Sequence, residues 1–129
     1  MNVDPMPGHD QESDKMLKAE IVLTDHAYMR IKERMGLSKE SAARIAEKAF
    51  YVGIDHSETT GRLHKYLAGE AYKYKKPGTR IVIYGEMVYC FVRMRTTKTG
   101  ENFAVLITVI YIPNNLKNNA LGLQKRKKK

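Results

Sequence analysis

His26, Arg30 and Arg34 stand four residues apart within residues 24–36. A helix advances ~3.6 residues per turn, so this spacing sets an imidazole and two guanidinium groups in one slowly drifting stripe, with Glu33 beside it. Arginines hold phosphate oxygens well, and histidine is the side chain that titrates nearest neutrality. The stripe is therefore equipped as a phosphate site, with Arg30 and Arg34 on the anion and His26 moving a proton. The field at a helix N-terminus disfavours a protonated imidazole, which suits a general base better than a general acid. The same stripe also reads as a solvated helix face on which Glu33 neutralises a neighbour.

The elements that must position these groups can be read in order. Thr24 is suited to accept a bond from an orphan amide, Asp25 puts negative charge in the first turn, and Gly36 can adopt the left-handed conformation that stops a helix. Ala27, Tyr28, Ile31 and Met35 form the flank that faces a core. Ahead of this helix, residues 19–23 are either a short edge strand or an extended lead-in. Behind it, Ser38 opens a second helix over 39–52, with Ala42, Ile45, Ala46, Ala49 and Phe50 at helical spacing and Gly53 at its end. Its alanines predict close packing on the first helix as an αα-hairpin.

Residues 54–61 read as a loop, and residues 62–75 as a third helix with Leu63, Tyr66, Leu67, Ala71 and Tyr74 inward. His56 and His64, eight apart across that boundary, have the freedom to converge with His26 in space. Lys73, Lys75 and Lys76 interleave with Tyr72 and Tyr74, the pairing of charge and ring that a single-stranded nucleic acid needs, although a solvated helix end has the same look. Pro77 and Gly78 mark a turn, and the rest reads as β: strands over 80–84 and 87–93 across a tight Gly85-Glu86 hairpin, then an apolar central strand over 103–112. Arg80, Arg93 and Arg95 add positive charge to this region. Strict alternation sets Thr108 on one face with Leu106 and Ile110, and Tyr111 on the other.

Composition narrows the class of partner. The 129 residues carry a formal charge of +9. Residues 125–129 supply five of those charges, residues 1–20 carry two lysines against five acids, and residues 21–124 are left at +7. A basic body favours anionic partners, nucleic acid first. Cys90 is the single cysteine and lies in an apolar run, so it reads as a buried thiol in a reducing, cytoplasmic setting with no intrachain disulfide. No run is long enough to span a bilayer as a helix, so no membrane partner is expected. No phosphate-cradling glycine loop and no zinc-spaced cluster occurs, so neither a cofactor nor a metal is expected.

The pattern His26-Ala27, Arg34, Gly61, Tyr84, Tyr89-Cys90-Phe91 and Leu106-Ile107-Thr108, set in helices followed by a meander, resembles the small phage and mobile-element proteins grouped with RelE-type and BrnT-type toxins. These belong to the barnase, EndoU, colicin and RelE class of metal-independent ribonucleases. The resemblance covers about residues 21–116. It implies attack of a ribose 2′-hydroxyl on the adjacent phosphate, with His26 as base, Arg30 or Arg34 stabilising the phosphorane, and Thr108 or Tyr111 orienting or protonating.

The expectation is thus an α+β domain over residues 19–117, three N-terminal helices followed by a three-stranded antiparallel sheet. A disordered acidic arm, residues 1–18, precedes it and a basic tail, residues 118–129, follows, disordered over residues 125–129. The expected role is RNA binding, extending to metal-independent endoribonuclease action at His26, Arg30, Arg34, Thr108 and Tyr111, with Lys73, Lys75, Lys76, Arg80, Arg93 and Arg95 on the nucleic acid. The alternative is a noncatalytic phage or mobile-element inhibitor or adaptor that uses a basic face on nucleic acid or on a host protein; a cognate antitoxin would be a further partner.

Overall fold

The computed structural model describes residues 19–74, 78–95 and 102–128. The expected acidic arm, residues 1–18, lies outside the described residues, as do Lys75, Lys76 and Lys129. Strand β1 (Glu20–Leu23) leads into helix α1 (Asp25–Met35), which the Thr24 side chain caps by accepting from the Ala27 N–H. Gly36, at φ 66°, stops it, as only a residue without a Cβ does at no steric cost. Helix α2 (Lys39–Val52) is capped by Ser38 and buries Ala42, Ala46, Ala49 and Phe50. Gly53 follows in an ordinary conformation, but a Cβ there would overlap the Val82 side chain and crowd the carbonyls of Ala49 and Ile83. That close approach lets the chain turn directly into β2 (Ile54–Asp55).

A 3₁₀ turn (His56–Glu58) leads to α3 (Gly61–Tyr74), and the strands β3 (Thr79–Tyr84), β4 (Met87–Arg95) and β5 (Asn102–Tyr111) follow. A second 3₁₀ turn (Asn114–Leu116) opens the last helix, α4 (Lys117–Lys128). The strands form one sheet in the order β1-β5-β4-β3-β2, antiparallel except that β1 runs parallel to β5.

The α+β class stands, but the architecture differs from the expected three helices and three-stranded antiparallel sheet. Among the described residues four helices cover a five-stranded mixed sheet. The two added strands are the edges: β1 gains its partner some eighty residues downstream, and β2 is two residues taken from what reads locally as a loop. Nor is the described part of the C-terminal segment a disordered tail. Leu116 and Ala120 are buried with Leu123 packed beside them, and the Gln124 amide both donates to the Gly85 carbonyl and accepts from the Gly85 N–H, each at 2.8 Å.

The sheet separates two cores. On one face α1 and α2 pack through Ala27, Ile31, Ala46 and Phe50 onto Val82, Tyr89, Phe91, Leu106 and Val109. On the other, α3, the second 3₁₀ turn and α4 pack through Leu63, Leu67, Leu116 and Ala120 onto Ile81, Ile83, Val88 and Cys90. Cys90 is buried, as expected of a thiol in an apolar strand.

Candidate nucleic-acid interface

β1 ends at Leu23 while β5 runs on to Tyr111, so β5 continues past its outer neighbour and α1 lies along that stretch. Backbone carbonyls in such a place need donors. The Thr24 hydroxyl lies 3.1 Å from the Leu106 carbonyl and 3.2 Å from that of Ile107. The Arg34 guanidinium donates to the Val109 carbonyl at 2.6 Å and stacks over the Tyr111 ring, 5.1 Å from its centroid. The Tyr111 hydroxyl closes the circle on the Arg34 carbonyl at 3.4 Å. Arg34 and Tyr111 are thereby brought together, as a clamp of helix on strand.

The other members of the expected catalytic set are placed apart. A register shift between Cys90 and Phe91 puts one extra residue, Ile107, opposite that step, so Leu106 pairs with Phe91 and Thr108 with Cys90. Cross-strand partners share a face, so Thr108 belongs with Cys90 on the α3 and α4 side, whereas α1 lies on the other. Strict alternation missed this bulge. Thr108 is buried, His26 is exposed, and Arg30 pairs with Glu33 at 3.4 Å. Among the described residues the sheet therefore stands between the Thr108 hydroxyl and the helix that carries His26 and Arg30.

At the opposite edge of the sheet, a polar cluster forms that the sequence hinted at only through two histidines. The His56 and His64 rings stack at 5.7 Å at the β2 edge, and β3 and β4 lie between that edge and the β5 strand along which α1 runs. His64 Nδ1 sits 3.0 Å from the His56 carbonyl, an acceptor only, so Nδ1 carries the proton. Asp55 accepts from the Ser57 amide and hydroxyl, and its other oxygen lies 3.3 Å from Arg80 Nε. Burial pushes the Asp55 carboxyl up, but the Ser57 hydrogen bonds and the Arg80 charge outweigh it and hold the group below its ordinary value. Arg80 in turn lies over the Phe50 ring at 4.8 Å, and Arg93 over the same ring at 6.0 Å. These two expected nucleic-acid contacts are brought together. Arg80 serves mainly to tie β3 to β2, and burial lowers its affinity for the proton. Lys73 pairs with Glu70 at 2.9 Å, while Arg95 ends β4 and its side chain lies outside those described. Among the described residues no group of three metal-ligating side chains occurs.

The remaining charge is divided unequally between the two helical layers. α1 and α2 carry six cations and four acids, whereas α3 and α4 carry eight cations and Glu70 alone, a net +7 against +2. On α3 the positions Lys65 and Tyr72 are seven apart and so share a stripe, and Tyr72 is 69% exposed. Lys125 and Arg126 are exposed on α4. The sequence shows these charges but not that one layer holds them, because α4 is not legible as a helix.

Comparisons with protein-family models, with curated proteins and with solved structures find no match for this chain. Among the described residues no helix is long and apolar enough to cross a membrane.

Proposed function

We propose that this protein binds single-stranded RNA through its α3 and α4 layer, as a noncatalytic binding module. The observation that carries this reading is the +7 charge of that layer against +2 on the other. Phosphate binding is driven by cations that release counterions, and a one-sided distribution presents them to a single strand together. The exposed Tyr72 ring, on the same helix stripe as Lys65 two turns away, supplies a stacking platform of the kind unpaired bases use, which favours single strands over a duplex. The nuclease chemistry implied by the resemblance to toxin-like ribonucleases finds less support, since His26 and Arg30 lie on the less charged layer, Arg34 holds a backbone carbonyl, and Thr108 lies across the sheet.

The test is fluorescence anisotropy with a single-stranded oligoribonucleotide, beside incubation of the same RNA in excess EDTA. Charge reversal at Lys65 and Arg126 weakens binding by about tenfold at moderate salt, whereas reversal at Arg30 and Lys48 leaves it within about twofold. Equal losses from the two layers would remove the basis of the proposal. Cleavage in EDTA that disappears in His26→Ala would replace it with the catalytic reading.

A further inference from the structure

Two grooves follow α4, one on each side. The larger, about 580 Å³, lies between the helix and the β3–β4 hairpin, with Leu121, Tyr84 and Gly85 on its walls and Lys125 at its rim. The smaller, about 230 Å³, lies between the helix and the start of α3, with Thr60, Asn119 and Arg126 around it. Asn118 and Gly122 line both. Among the described residues no carboxylate lines either groove. The larger volume falls in the range, roughly 300–1,000 Å³, that small organic ligands occupy.

Gly122 is the feature that joins them. Glycine is a poor helix former, and at this position neither backbone nor packing requires it, since an added Cβ would meet only the Arg126 guanidinium, 4.0 Å away. What the missing side chain does is leave the helix surface low between the two grooves, with the Arg126 guanidinium reaching over it. Leu121 offers an apolar wall on one side and the Asn118 amide a hydrogen-bonding edge, while the other side is polar and cationic.

We propose that the two grooves together seat one nucleotide of single-stranded RNA, the base in the larger against Leu121 and Asn118, and its phosphate in the smaller against Arg126. This rests on the RNA-binding reading and assigns it a base-accepting subsite. Charge complementarity selects the occupant, because cations rim both grooves and the surrounding layer is the basic one. A purely electrostatic surface would have no use for the apolar wall.

The experiment compares affinity for a single-stranded oligoribonucleotide with affinity for an abasic phosphodiester oligomer of the same length. Gly122→Leu fills the junction and lowers RNA affinity by about tenfold, the scale of one stacked base, while the abasic oligomer, which feels only the displacement of the Arg126 guanidinium, loses about twofold. Gly122→Ala favours the helix, raises its thermal stability and produces a smaller loss of about twofold in the same direction, which keeps the test decisive if the leucine variant misfolds. RNA affinity unchanged in a folded Gly122→Leu variant, or in Gly122→Ala if the leucine variant misfolds, would overturn the subsite while leaving RNA binding by the layer intact. Equal losses on both oligomers would overturn base seating and leave a phosphate groove. Wild-type protein that binds neither oligomer would instead overturn the RNA-binding reading, and the subsite with it.

Discussion

Arg34 shows how a residue type suited to phosphate can be committed to the fold. Its guanidinium meets the Val109 carbonyl at 2.6 Å and lies over Tyr111, so Arg34→Met removes a charge-assisted bond and leaves a partly buried carbonyl without that donor. The expected cost is about 1.5–3 kcal/mol in urea denaturation, with RNA affinity unchanged. Thr24 acts at the other end of the same helix. Thr24→Val keeps the shape but loses the cap on the Ala27 amide and the hydroxyl's bond to the β5 carbonyls, at a cost of about 1–2 kcal/mol by the same measurement. Asp55 contributes a pH dependence. Because its carboxyl titrates lower in the folded chain than in the unfolded one, its stabilisation is complete above the unfolded value, ~3.9, and is lost as the pH falls through the lower folded value. Asp55→Asn should therefore show lower stability near neutrality and a flatter decline on acidification, followed by far-ultraviolet circular dichroism.

At the scale of elements, α4 is held mainly from outside. It is rich in asparagine and lysine, holds Gly122, and has few apolar residues, so local preference does little for it. The Gln124 clasp on Gly85 and the burial of Leu116 and Ala120 supply what its own sequence lacks. Gln124→Ala should speed amide hydrogen exchange throughout the last two turns while leaving α1 protected. The same physics explains which elements the sequence reveals. α1, α2 and the β3–β4 hairpin are legible because Thr24, Gly36, Ser38, Gly53 and the Gly85-Glu86 pair are local signals beside clear periodicity. β1 is legible only as one of two alternatives, an edge strand or an extended lead-in, and β2 and α4 are not, since each is stabilised by a partner distant along the chain. The site was legible as residue types and less so as geometry: one inserted residue, Ile107, carries Thr108 to the other face of the sheet, and a hydrophobic pattern gives no sign of it.

The whole molecule is a sheet with a weakly charged cover on one face and a strongly cationic cover on the other. Because several cations approach one polyanion together, the dependence of log affinity on log salt should be steep. Removing residues 125–129 should make it shallower while sparing the fold, since Gln124 and its bonds to the hairpin remain. An unchanged slope in a salt titration would show that this end of α4 makes no phosphate contact. The pairing of β1 with β5 bears on a different matter, the order in which the chain can acquire structure as it leaves the ribosome. β1 has its ladder partner, and α1 the strand it lies along, only once residues 102–111 have emerged. Their apolar surfaces therefore wait until β5 is made, longer than those of β3 and β4, which meet across two residues. Nascent chains halted before residue 102 should bind a holdase chaperone through residues 20–35 and let go when β5 is added, so β5 is the strand that shelters β1.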